Sequence, residues 1–208
     1  RDLALNLKKD GIAHEHLDIG GGLGVPYRGV NDVPPPPDEY ARVVKETLGD
    51  LGLKLALEPG RMIVGNAGIL VTGVTYVKEG ADKTFTIVDA AMNDLIRPTL
   101  YDAWHDILPV KERRDAAMIR CDVVGPICES GDYLAQNRDL PPLAAGDLVM
   151  IRSAGAYGAV MASAYNTRPL VPEVMVDGTR FAVTRPRPTI EEMLSAERFP
   201  PWMEPRKP

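Results

Sequence analysis

Cysteine is scarce: the 208 residues include only two, Cys121 and Cys128. Their spacing matches no zinc or thioredoxin-like pattern, and two thiols do not make a disulfide framework in a chain of this size, so a reducing, cytoplasmic compartment is expected. Long apolar runs are also missing. The longest uncharged stretch, Met62 to Val77, contains Gly65, Asn66, Gly68 and Gly73 and falls short of the roughly 20 apolar residues that span a bilayer. It reads as a buried strand region, and no membrane partner is expected. No segment joins a basic start, an apolar middle and a small-residue cleavage site, so nothing marks export. Positive charge is in deficit, with 24 Lys+Arg against 29 Asp+Glu and a net charge of −5. Phosphate backbones require a basic surface, so nucleic acid is not the expected partner. His14 and His16 lack a third ligand at useful spacing, so no metal site is expected. No internal repeat is visible.

What is present is the composition of a folded protein. Hydrophobic residues at 45% and charged residues at 25% match soluble globular chains, and the length suits one large domain or two small ones. Glycine and proline are in excess, 19 of each, where about 12% combined is usual. The chain also opens on Arg1 in a mid-helix pattern, so further residues are expected to precede it.

The front alternates helix and strand. Residues 2–10 read as an amphipathic helix with Lys8 and Lys9 in the last turn and Gly11 as the stop. A short strand follows from His16 and ends in a glycine cluster. Pro34 to Pro37 forbid regular structure, Asp38 reads as the cap of a helix through Leu51, and Tyr40, Val44, Leu48 and Leu51 share one face of it. A second apolar strand, 53–57, ends in a Glu58-Pro-Gly-Arg61 turn. Two strand, turn and helix units in succession predict a piece of a parallel α/β architecture. From about Gly68 strand-like runs dominate, at 69–77, 84–88, 118–124, 147–151 and 181–184, predicting a mostly antiparallel barrel or sandwich. After Pro186 a Pro-rich tail with one short helix near 190–196 is expected, poorly ordered beyond it.

Five segments carry residues suited to chemistry. In Asp18-Ile-Gly-Gly-Gly-Leu-Gly24, the residues Gly20, Gly21, Gly22 and Gly24 follow a strand, where a loop without Cβ atoms can aim several N–H groups at one phosphate; a tight structural turn is the competing reading. Glu58 and Arg61 flank Pro59-Gly60 at the end of the next strand, which is the ligand-gathering edge of a parallel sheet. There they suit a protonated ring nitrogen and an anion, or else a surface salt bridge. Arg97 and Tyr101 stand four apart and would share a helix face, able to grip a carboxylate; an arginine stacked on an aromatic ring is the alternative. Cys128-Glu129 lies in a Gly/Pro-framed loop between β elements, a candidate proton donor beside a cation-binding carboxylate, although most isolated cysteines are inert. Residues 155–165 are rich in Gly, Ala and Ser, where backbone can approach a ligand or another subunit closely.

These segments, in this order, resemble the C-terminal part of the diaminopimelate decarboxylase family, pyridoxal-phosphate enzymes of the alanine-racemase-like fold. The resemblance rests on residues 18–24, on Leu57-Glu-Pro-Gly-Arg61, on Asn93-Asp-Leu-Ile-Arg-Pro-Thr-Leu-Tyr101, on Gly125-Pro-Ile-Cys-Glu-Ser-Gly-Asp132, and on Gly155-Ala-Tyr-Gly158 with Tyr165-Asn166. It implies an α/β plus all-β chain. Residues 1–66 would supply the last strands and helices of a (β/α)8 barrel, and 67–185 a C-terminal antiparallel β-barrel domain, with 155–166 returning to the barrel face and 186–208 as the tail. It further implies that pyridoxal 5'-phosphate is held by Gly20, Gly21, Gly22, Gly24, Glu58, Gly60, Arg61 and Tyr157, with Glu58 on the ring nitrogen. Arg61, Arg97, Tyr101, Glu129 and Tyr157 would hold an amino-acid substrate, Glu129 taking the distal ammonium. Cys128 would be the catalytic proton donor, delivered with Glu129 from the other subunit of a homodimer.

The implied reaction is decarboxylation of meso-2,6-diaminopimelate to L-lysine and CO2. A related basic-amino-acid or carboxynorspermidine decarboxylase is the alternative enzyme, and a non-catalytic regulatory homologue the alternative from another class. The family's cofactor-bearing lysine lies on an early barrel strand, and none of Lys8, Lys9, Lys45, Lys54, Lys78, Lys83, Lys111 or Lys207 stands in a matching context. The polypeptide by itself is therefore expected to be inactive.

Overall fold

The computed structural model describes residues 1–29 and 33–203. Helix α1 (Asp2–Lys9) stops where predicted: Gly11 turns left-handed at φ +79°, its N–H donates to Lys8, and the Ile12 N–H reaches back to Leu7. That pair of bonds satisfies the last carbonyls of the helix. Strands β1 (His16–Asp18) and β2 (Lys54–Ala56) pair in parallel, with helix α2 (Pro37–Leu48) as the crossover between them. Asp38 is not the cap. The helix begins two residues earlier, with Pro36 at the N-cap position and Pro37 as the first helical residue, because a proline there has φ already set and lacks only an N–H that would be unpaired anyway. Asp38 and Glu39 instead sit in the first turn, where the helix dipole favours negative charge. The helix also ends at Leu48, and 49–51 form a tighter 3-10 turn. Leu48 is buried and Tyr40, Val44 and Leu51 are half-buried, on the face the periodicity predicts.

The uncharged stretch from Met62 is not one buried strand. Its first half is helix α3 (Gly60–Val64) with a 3-10 turn at 65–67; only then does β3 (Leu70–Glu79) begin, and Ile63, Ile69 and Val71 are exposed. β3 joins a six-stranded sheet with β4 (Thr84–Val88), β5 (Ile107–Pro109), β6 (Ile119–Val124), β7 (Tyr133–Leu140) and β8 (Leu148–Ile151), in the order β5-β8-β3-β4-β6-β7. Pairing is antiparallel except between β4 and β6, which run parallel because the segment between them, carrying helix α4 (Arg97–Tyr101) and β5, crosses over. All six strands feed one apolar core, among them Val74, Val88, Ile107, Val123, Leu134 and Val149. Two edge strands can share a core only if the sheet curls, and the architecture is a nearly closed, barrel-like sheet. The Arg138 guanidinium on β7 reaches across to the carbonyl of His105, just before β5, at 2.8 Å.

Strand β7 was not visible as a strand. Its alternation breaks at Asn137, which has φ +50° and donates its N–H to the Asp122 carboxylate at a register shift against β6. A bulge of this kind removes the period-2 signal. A separate hairpin, β9 (Glu173–Asp177) and β10 (Arg180–Arg185), turns at Gly178 with φ +60°. Helix α5 (Ile190–Leu194) carries a full capping box from Thr189 and Glu192. The expectation of poor order after this helix meets a 3-10 turn at Pro201–Met203; residues 204–208, including Lys207, lie outside the described ones. Among the described residues no helix is long and apolar enough to cross a membrane.

Candidate functional site

The two turns predicted at one sheet edge are bonded to each other. The Glu58 N–H donates to the Gly20 carbonyl at 2.8 Å, and Gly20 donates in turn to the Asp18 carboxylate at 2.8 Å. Gly20 and Gly22 have φ +73° and +96°, and a Cβ on Gly21 would collide with the Glu58 carbonyl oxygen. The loop therefore needs glycine both for its backbone path and for its closeness to the second turn. Around Gly20, Gly22 and Gly60 a side chain would meet open space, so the loop faces an unfilled region. Gly24 differs, packing against Pro34.

Arg61 opens α3 and turns to two aromatic rings rather than to a carboxylate. Its guanidinium carbon lies 5.4 Å from the centre of Tyr157 and 5.9 Å from that of Tyr27. Tyr157 holds φ +59°, an unfavourable conformation imposed by tight neighbours: a Cβ on Gly155 would strike the Val64 carbonyl and one on Gly158 the Ala154 carbonyl. Gly155 and Ala154 bond to Gly65 and Gly68, which pins this segment beneath α3. Tyr27 is a residue that no sequence pattern marks. It sits at the centre of the group, with Arg61 on it, Arg97 at 4.9 Å, and His105 edge-on at 5.2 Å. Its hydroxyl is buried and has no protein partner among the described residues. The only local signal was an aromatic residue directly after Pro26 in the loop leaving the glycine cluster.

Arg97 and Tyr101 do not present a common face. Helix α4 is a single turn closed by Asp102 at φ +51°; Arg97 turns inward and is 7% exposed, whereas Tyr101 is 61% exposed. The stacking alternative for Arg97 is the one observed, but in the interior. Its Nη1 donates to His105 Nε2 at 2.9 Å, and His105 Nδ1 lies 2.9 Å from the Arg152 carbonyl. Burial lowers the His105 pKa below the ordinary histidine range, and the cations of Arg97 and Arg138 push the same way. Arg138 lies 3.2 Å from the centre of the Trp104 ring, and burial brings its own pKa down to about 10.

Cys128 and Glu129 stand outside this contact chain, exposed on the loop between β6 and β7. The loop itself is firmly held. Buried Asp132 accepts the Met92 N–H at 2.7 Å and the Ile127 N–H at 2.6 Å, and the Thr99 hydroxyl ties Gly131 to α4. Lys8, Lys9, Lys45, Lys54, Lys78, Lys83 and Lys111 are all exposed, and Lys83 pairs with Asp122. No group of three metal-ligating side chains occurs among the described residues.

Residues 17–155 match the family model described as pyridoxal-dependent decarboxylase, C-terminal sheet domain. The chain belongs to this decarboxylase family. Curated diaminopimelate decarboxylases resemble it closely. That of Pseudomonas aeruginosa is 54% identical over 92% of this chain and 45% of its own length, and that of Vibrio cholerae 50% identical over 92% and 45%. The crystal structure of the Helicobacter pylori diaminopimelate decarboxylase complexed with L-lysine superposes with a TM-score of 0.85 at 40% identity, over 93% of this chain and 47% of that one. The chain thus spans about half the length of the family members it matches.

Proposed function

We propose that this chain is the C-terminal portion of a diaminopimelate decarboxylase, acting on meso-2,6-diaminopimelate to release CO2 and L-lysine. The observation that carries the reading is the grouping of the glycine loop, bonded to the Glu58 turn, with Arg61 three residues on, which contacts both Tyr157 and Tyr27, and with buried Arg97 on the same Tyr27 ring. In this reading residues 1–66 are the last units of a (β/α)8 barrel, 67–185 the sheet domain with 155–166 returning to the barrel face, and 186–208 a tail.

The residues present fit pyridoxal phosphate. The left-handed glycines face open space, and a side chain on Gly21 would close the approach between the two turns. Gly21, Gly22 and Gly24 would offer backbone N–H groups to the phosphate, Gly20 shaping the loop around it with its own N–H held by Asp18, with Gly60 and Arg61 beside them; Tyr157 would complete the pocket, and the Glu58 carboxylate would hold a proton on the ring nitrogen. The bound cofactor supplies an electron sink for the pair left on the substrate's Cα. The Cys128 Sγ then donates a proton to that Cα as general acid. Because Cys128 and Glu129 are exposed and outside this grouping, they fit delivery from the second subunit of a homodimer, with Glu129 meeting the distal ammonium.

Arg97 and Arg61, gathered on Tyr27, favour a substrate whose far end bears a carboxylate, and Tyr101, exposed at the end of the α4 turn, would add its hydroxyl from a different face. Two guanidiniums on Tyr27 would repel the bare terminal ammonium of ornithine or lysine, which weighs against a basic-amino-acid decarboxylase. A proton donor at Cys128 has no use in a binding-only homologue. The structure neighbours include a lysine/ornithine decarboxylase from Vibrio vulnificus, at a lower TM-score of 0.70 and 29% identity. The test is CO2 release, with pyridoxal phosphate, by the full-length enzyme carrying this chain. Turnover of diaminopimelate but not of ornithine, lysine or carboxynorspermidine is expected, and preference for any of those three overturns the reading. A cytoplasmic, soluble dimer without a nucleic-acid or membrane partner completes the proposal.

A further inference from the structure

The buried imidazole behind Arg97 has no place in the mechanism above, yet its hydrogen bonds leave it one possible form. A carbonyl can only accept, so the 2.9 Å contact of Nδ1 with the Arg152 oxygen places the ring proton on Nδ1. A guanidinium can only donate, so Nε2 must offer its lone pair to Arg97 Nη1. We propose that His105 is a positioning residue: as the neutral Nδ1–H tautomer it holds one arm of Arg97 from behind, leaving the rest of the guanidinium fork aimed at the carboxylate at the far end of the substrate. The inference rests on the functional reading given above.

Each neighbour supports this role. Tyr27 lies under Arg97 and edge-on to His105, so the arginine is fixed by a ring face and by a lone pair at once. An acidic partner at the same place would hold Arg97 more tightly but cancel the charge that the substrate needs. A neutral acceptor orients the guanidinium and leaves its charge available. The charged groups facing the imidazole are Arg97 from α4, Arg138 from β7, whose Nη1 bonds the His105 carbonyl, and Asp106 next in the chain. Burial and the two arginines keep the ring neutral. Protonation of Nε2 would replace acceptance by repulsion and release Arg97.

Removing one carboxylate from diaminopimelate leaves the other as the carboxylate of L-lysine, whereas cadaverine has none. The test measures inhibition of the full-length, pyridoxal-phosphate-loaded enzyme by L-lysine and by cadaverine in wild type, His105→Leu and His105→Gln. Loss of a hydrogen bond to a charged group predicts that His105→Leu weakens L-lysine roughly tenfold to hundredfold and leaves cadaverine unchanged. His105→Gln, which keeps an acceptor, should recover part of the loss, and the KM for diaminopimelate should rise more than kcat falls. Equal weakening of both inhibitors, or none, overturns the positioning role. A wild type that neither decarboxylates diaminopimelate nor binds L-lysine instead overturns the functional reading and the carboxylate role with it. Should the leucine variant not fold, the glutamine variant decides on the same comparison. Independently, nitrogen NMR of the chain, which contains only three histidines, should show His105 protonated on Nδ1 and bare on Nε2; the reverse tautomer overturns the proposal.

Discussion

Asp132→Asn tests how the loop carrying Cys128 and Glu129 is held. Each carboxylate oxygen of Asp132 accepts one backbone N–H, a half-buried one from Met92 at 2.7 Å and a buried one from Ile127 at 2.6 Å. The residue is 5% exposed, and its own backbone bonds Gly125 and Glu129, so water cannot replace a lost partner easily. Asparagine matches the shape but offers one acceptor, and its NH2 must face the other N–H. One charge-assisted bond is lost and a buried donor is left unmatched, which costs about 2–4 kcal/mol. For a chain of this size the melting temperature should fall by roughly 4–16 °C. Urea unfolding followed by the fluorescence of Trp104 and Trp202 should show a lower midpoint with an unchanged slope. A loss below about 0.5 kcal/mol would mean that the two amides find other partners, and the latch described here would be wrong.

Gly155→Ala places a methyl group against the Val64 carbonyl and 2.8 Å from the Gly68 nitrogen, forcing apart two backbones joined by the Gly155 and Ala154 bonds. Overpacking with strained hydrogen bonds should cost about 3 kcal/mol or more; a urea midpoint close to wild type would contradict the packing. His105 makes stability depend on acid. Its folded pKa is lowered, so below about pH 6.5 the unfolded state takes up a proton that the folded state refuses, and stability falls by up to about 1.4 kcal/mol per pH unit until the lowered folded pKa is reached. The stability is fully present above that window, and His105→Gln should flatten the slope within it; an unchanged slope in urea titrations across pH would show that another group is responsible. In the native chain a thiol reagent should modify Cys128 rapidly, while Cys121, 1% exposed and with its pKa raised by burial, reacts only in denaturant. Rapid modification of two thiols without denaturant would refute that burial.

Much of the secondary structure was legible because it is written in neighbouring residues. Gly11 marked the end of α1, the four-residue spacing of Tyr40, Val44 and Leu48 marked the buried face of α2, and the β-branched run at 84–88 marked β4. Strand β7 escaped because the bulge at Asn137 interrupts its alternation. Asp38 was read as a cap from residue type alone, while the preceding prolines had already set the start of the helix. Arg97 and Tyr101 were paired by helical spacing, which fails when the helix is a single turn and one side chain turns inward.

By itself the sequence determined the glycine and proline positions, the order of five chemically suited segments, and hence the resemblance to the decarboxylase family. These are properties of residue type and local spacing. Tertiary structure alone decided what surrounds Arg97. Tyr27, the connection carrying Arg97 and His105, and the Arg152 carbonyl come from three separate parts of the chain with no shared period, and they meet only where the curled sheet packs against the glycine-rich turns. Nothing local marks a histidine as the one whose tautomer is dictated by a carbonyl on one side and a guanidinium on the other, because the Arg152 carbonyl arrives from 47 residues away and Arg97, although only eight residues before His105, meets it through no regular element.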